Sequence, residues 1–145
     1  MVRINCGIEP THLSDQHLIA EYREILLAFG YYKKNNNRRI KKSKENLKHP
    51  LRFYQDKLTY LAKRFIKLKS EMIRRGMAPM KNLSQNGFDS SRFNDFTPNE
   101  YHQEQIKERI TQRINEKEES VGSWYKYCGT NQPIEFFEGL MNGQL

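Results

Sequence analysis

The sequence predicts an all-α fold: a single compact domain spanning residues 1–145, with three main helices joined by long connecting loops. Apolar residues recur every three or four positions in three separate stretches, the spacing that gathers them on one face of a helix. Glycine or proline bounds each stretch. At 145 residues the chain is long enough for one modest core and too short for two.

The first helix is expected from Leu13 or Ser14 to Phe29, with Ser14 or Asp15 as its cap and Gly30 as its stop. Leu18, Tyr22, Ile25, Leu26 and Phe29 share its apolar face. His17, Glu21 and Glu24 line up on the face opposite, with Gln16 and Arg23 about a quarter-turn away. That polar face reads either as a solvated surface or as a reaction centre, in which Glu24 would be a carboxylate held clear of the core. Ahead of the helix, Gly7 and Pro10 argue for an irregular or extended arm. If Met1 is removed, Val2 supplies a free α-amine with an unperturbed pKa of about 8, which leaves it substantially neutral and nucleophilic near pH 7. On composition alone the arm reads foremost as a plain flexible terminus.

From Lys33 to Lys48 the chain turns strongly basic, with Asn35, Asn36 and Asn37 in a row and no apolar periodicity, so a loop is expected there. The longest helix should run from Leu51, just after Pro50, to Arg75, ahead of Gly76. Tyr54, Leu58, Leu61, Phe65, Leu68 and Met72 form its core seam, and at full length it would span about 38 Å. Lys57, Lys63, Arg64, Lys67, Lys69, Arg74 and Arg75 fall mostly off that seam and should extend a basic surface. A linker follows, Met77 to Phe96, tacked down by Phe88, Phe93 and Phe96. The third helix opens at Thr97-Pro98-Asn99-Glu100, read as a capping box with proline in the first turn. Its apolar stripe is Tyr101, Ile106, Ile110 and Ile114, which leaves Lys107, Arg109, Arg113 and Lys117 for phosphates. Glu116, Glu118 and Glu119 mark its fraying end.

Beyond it, Trp124-Tyr125-Lys126-Tyr127 interleaves aromatic rings with a cation. Such a segment can stack on nucleobases or close the core. The last apolar patch, from Ile134 to Leu140, should dock on the body.

The whole-chain balance bears on partners. A net charge of +8 and a pI near 9.5 point to a polyanion, with nucleic acid foremost, because Lys and Arg neutralise phosphates and release their counterions. No apolar run reaches the roughly 18 residues of a membrane span, and no signal-peptide core opens the chain, so a cytoplasmic protein without a membrane partner is expected. The two cysteines, Cys6 and Cys128, lack metal-finger spacing, which argues against a metal site and for unpaired thiols.

Several stretches together resemble the pyrimidine-dimer DNA glycosylases, endonuclease V of T-even bacteriophages and its relatives. They are Val2-Arg3-Ile4-Asn5, Asp15-Gln16-His17-Leu18, Ala20-Glu21-Tyr22-Arg23-Glu24, Phe29-Gly30, Asp56-Lys57-Leu58, Lys63-Arg64, Arg75-Gly76, Glu116-Lys117 and Trp124-Tyr125-Lys126-Tyr127. The basic loop, the linker and the tail after Gly129 do not align clearly.

The resemblance implies an all-helical enzyme without metal or cofactor, acting as a monomer on double-stranded DNA with damaged bases. It would excise a base of an ultraviolet photodimer and cut the strand by β-elimination. By the same match the Val2 α-amine would be the nucleophile, forming a Schiff base at the sugar C1′, and Glu24 would stabilise the developing positive charge. Arg3, Gln16, His17, Arg23, Arg113 and Lys117 would contact DNA, together with Trp124, Tyr125, Lys126 and Tyr127. Arg3, His17 and Arg23 near the amine would lower its pKa further. Three positions depart from the family pattern: Val2 replaces a threonine, Leu27 an arginine and Cys128 a tyrosine. They leave two other readings open, a non-enzymatic DNA-binding protein on the same scaffold or a glycosylase for a different modified base.

Overall fold

The computed structural model describes residues 3–35 and 49–143. Val2 and most of the basic segment, residues 36–48, lie outside the described residues. The chain is mostly helical: α1 (Asp15–Lys34), α2 (Pro50–Tyr54), α3 (Leu58–Arg74), α4 (Glu100–Val121) and α5 (Ile134–Met141), with a two-stranded hairpin of β1 (Lys126–Tyr127) and β2 (Thr130–Asn131). The three long helices are those the apolar spacing predicts. No helix among the described residues is long and apolar enough to cross a membrane. The described residues fall into two compact units, one drawn from Met1–Ile4 and Glu21–Thr97, the other from Asn5–Ala20 and Pro98–Leu145.

In the first unit, Tyr22, Ile25, Ala28, Phe29 and Tyr32 of α1 are buried, as are Leu58, Leu61, Phe65, Leu68 and Met72 of α3. Tyr22 stacks on Phe65 with ring centroids 5.1 Å apart. Glu21 does not stand on a polar face as expected. It is buried, and Arg64 reaches it with Nε and Nη2 at 2.7 and 3.0 Å. At 100° per residue Glu21 lies beside Ile25 and Ala28, inside the buried sector of α1. Arg64 is thereby lost to the basic surface. So is Arg75, whose side chain is enclosed and whose Nε donates to Glu71 at 2.7 Å.

Gly30 does not end α1. The helix runs on to Lys34 because the next turn is anchored: Tyr32 is buried, and its hydroxyl donates to the Leu51 carbonyl at 2.6 Å. That outweighs the cost of about 1 kcal/mol for glycine inside a helix. The expected single helix from Leu51 to Arg75 is in fact two. The chain turns at Gln55 to Lys57, where the Lys57 amide donates to the Tyr54 carbonyl and its ammonium to the Phe53 carbonyl, both at 2.9 Å. The apolar spacing passes across this turn unbroken, which is why the pattern conceals it. α3 then closes on Gly76 at φ +85°, with Met77 N–H to Met72 C=O and Gly76 N–H to Ile73 C=O, the paired bonds of a Schellman cap.

The linker is pinned as its phenylalanines predict. Phe88 meets Phe29 edge-on, Phe93 meets Phe88, and Phe96 meets Phe53 and Tyr60. Polar ties add to this: the Lys81 amide donates to the Tyr22 hydroxyl, and Arg92 donates to the Gln55 carbonyl while lying over the Tyr32 ring.

In the second unit, Ile106, Ile110 and Ile114 of α4 form the buried stripe, and α5 packs against α4. Tyr101 is exposed and His102 is buried in its stead. The capping box is not Thr97 with Glu100. Asn99 is the cap, its side chain accepting from the His102 amide at 2.8 Å while His102 Nδ1 accepts from the Asn99 amide at 3.3 Å. The acidic end of α4 does not fray either, because the helix continues to Val121 and Glu118 accepts the first amide of α5, that of Ile134, at 2.9 Å. A carboxylate there offsets the positive end of the α5 dipole. The arm before α1 is irregular but packed, with Cys6 and Ile8 buried. Gly7 adopts φ +79°, and a side chain there would collide with Gln103. Arg109, expected at phosphates, donates instead to the Asn5 side chain at 2.5 Å.

Candidate active site

The first turn of α1 is set by Ser14. Its hydroxyl accepts from the His17 amide at 3.0 Å and shares a second hydrogen bond with His17 Nδ1 at 2.7 Å, so the cap and the histidine orient each other. The His17 ring stacks on Tyr125, 4.8 Å between centroids and 15° between planes. Gln16 bridges the same segment, donating from Nε2 to the Trp124 carbonyl at 3.1 Å and accepting at Oε1 from the Lys126 amide at 2.9 Å. Tyr127 donates from its hydroxyl to the Thr11 carbonyl at 2.8 Å.

The hairpin that follows turns on Cys128 and Gly129, both at positive φ, 50° and 82°. Such a two-residue turn needs two left-handed positions, which suits glycine and costs a residue with a Cβ. The Asp15 carboxylate accepts from both turn amides, Cys128 at 3.0 Å and Gly129 at 2.8 Å. Asp15 was legible in the sequence only as a possible cap, and the one further signal was the Cys-Gly pair itself, a turn in want of an anion.

α4 brings two cations to this place. The Lys117 ammonium stands 4.5 Å from the centre of the Trp124 ring, an exposed indole. Burial pushes the Tyr125 phenol above its ordinary value, Arg113 pulls it back, and Glu116 adds to the rise. Gln16, His17, Arg113, Lys117, Trp124, Tyr125, Lys126 and Tyr127 therefore all belong to one cluster in the second unit.

Arg3, Arg23 and Glu24 belong to the first unit, and no hydrogen bond joins them to one another. Arg23 is exposed on α1. Glu24 is half-buried, and its carboxylate makes no hydrogen bond or ion pair among the described residues. Leu27, on the next turn, is 63% exposed. Glu21, one turn before it, is instead buried against Arg64.

The sequence model of the pyrimidine dimer DNA glycosylase family matches residues 1–85. The chain belongs to that family. The matched region includes Val2, Arg3, Gln16, His17, Arg23 and Glu24, whereas Arg113, Lys117 and the aromatic hairpin lie beyond it. Membership brings DNA repair of ultraviolet damage and a DNA substrate. The contacts of Asp15, Gln16 and His17 tie the family's matched segment to the unmatched hairpin.

Proposed function

We propose that this protein is a pyrimidine dimer DNA glycosylase with abasic-site lyase activity, working as a monomer and single functional domain on damaged double-stranded DNA. The observation that carries the reading is the contrast on α1: Glu21 is spent on Arg64, while Glu24 has no partner among the described residues. In the reaction, the Val2 α-amine, exposed once Met1 is removed, bonds to C1′ of the damaged nucleotide as the glycosidic bond breaks and the base leaves with the electron pair. Opening of the sugar ring and loss of the amine protons give an imine. Removal of a C2′ proton then expels the 3′ phosphate and cuts the strand.

Glu24 opposes the positive charge that grows at the sugar and relays protons afterwards. Arg3, His17, Arg23 and Arg113 bind phosphates or the damaged site, and attack requires the neutral form of the amine. Lys117 and Lys126 add charge, and the aromatic rings offer stacking to an unpaired base. Extruding a nucleotide costs a few kcal/mol, less where a photodimer already weakens stacking. The exposed Leu27 supports a second reading of the substrate alone, a different modified base, since leucine makes no polar contact with a lesion.

Borohydride trapping on ultraviolet-irradiated and abasic duplexes tests both. A covalent complex is expected that disappears when one residue is left ahead of Val2 and falls sharply in Glu24→Gln. Equal trapping by the extended protein would exclude the terminal amine. Binding without trapping or cleavage would make the protein a DNA binder only.

A further inference from the structure

We propose that Asp15 and Gln16 are positioning residues of the site, holding the 124–129 segment by its backbone and thereby deciding which of its side chains meet DNA. This rests on the reading that the segment contacts damaged DNA. The hairpin cannot hold its own place: its strands are two residues each, and an isolated two-stranded hairpin is at best marginal in water. It is fixed from outside, by consecutive residues of one helical turn.

Gln16 acts as a one-residue strand. Its amide donates to the carbonyl of residue 124 and accepts from the amide of residue 126, the pair of groups a neighbouring strand would take. Asp15 takes the next two amides at the turn, Cys128 and Gly129, with one carboxylate oxygen each. Bonds to a carboxylate are the stronger kind, and here they sustain a left-handed Cys128 that would otherwise favour another shape.

The grip sorts the aromatic segment into two sets. Tyr125 and Tyr127 turn to the body, one stacked on His17 and one bonded to Thr11 and edge-on to Phe136. Trp124 and Lys126 are left exposed, a ring and a cation on offer to a base and its phosphate. Gln16, expected from the family resemblance to touch DNA, acts through the hairpin.

Trp124 is the only tryptophan, so its fluorescence reports the hairpin directly. Asp15→Ala should raise acrylamide quenching of Trp124 about twofold in the free protein, and should raise KM on irradiated duplex about tenfold with kcat within about twofold. Asp15→Asn, which keeps one acceptor oxygen, should fall between. Adding Cys128→Gly to Asp15→Ala should restore part of both, because glycine takes the left-handed turn without the carboxylate. Unchanged quenching and KM in both Asp15 variants would overturn the proposal, as would a loss confined to kcat. A wild-type protein that excises nothing defeats the glycosylase reading alone, and the quenching comparison still decides the role of Asp15.

Discussion

Lys117 holds its ammonium over the face of Trp124, 4.5 Å from the ring centre. Contacts of this kind contribute about 0.5–1 kcal/mol at exposed sites, too little to keep the cation from a phosphate. Lys117→Met should therefore leave thermal stability within about 1 kcal/mol of wild type while lowering the salt slope of DNA binding by about one. Fluorescence anisotropy across a potassium chloride series measures that slope. Arg113→Ala should lower it by a similar amount, also about one.

Two carboxylates one turn apart on α1 should respond oppositely to the same change. Glu21→Gln removes the carboxylate that buried Arg64 reaches with both Nε and Nη2, and urea denaturation should show a loss of about 3–5 kcal/mol. Glu24→Gln should change stability by no more than about 0.5 kcal/mol, while cutting excision about 10²–10³-fold. An equal loss of stability in both would remove the contrast on which Glu24 is assigned.

Two glycines also separate. Nothing lies within 4 Å of a side chain added at Gly30, which sits inside α1, so Gly30→Ala should stabilise the protein by about 0.5–1 kcal/mol. Gly76 has the same open space but a φ of +85°, and Gly76→Ala should cost about 1–2 kcal/mol. Paired urea titrations check the two signs.

Glu71 sets a pH dependence. Burial pushes its carboxyl up, but hydrogen bonds from Arg74 and Arg75 outweigh this and hold it below the ordinary carboxylate range. A carboxyl whose folded value lies below its unfolded one, about 4.3, lends stability that is complete above that value and is lost as pH falls through the folded value. Wild-type protein should therefore lose stability on acidification more steeply than Glu71→Gln, and the two curves should draw together at the lowest pH. Parallel acid titrations of urea midpoints would contradict this.

The long helices were legible because Tyr54 to Met72 and Ile106 to Ile114 keep strict helical spacing, and packing obeys that spacing. The same regularity hid the turn at Gln55 to Lys57, since Tyr54, Leu58 and Leu61 stay in phase across it. Glu21 was misread because an acidic side chain signals a polar face unless its partner is known, and Arg64 stands 43 positions away. Distance along the chain also concealed Asp15, which meets Cys128 at a separation of 113. The clustering of Gln16 and His17 with the aromatic segment was implied by resemblance alone; no spacing rule joins residues so far apart.

The pair of Glu21 and Arg64 adds a two-point constraint on the rotational phase of α1, beside the single bonds of Tyr22 and Tyr32. A helix seated only by apolar contacts can roll by a fraction of a turn while keeping its hydrophobic face covered, whereas a two-point ion pair accepts one angle. Replacing both partners by well-packed apolar residues is often neutral or stabilising. Here such a double replacement should preserve the melting temperature and still blur the direction in which the next carboxylate points, so that robustness and catalysis come apart in a single variant.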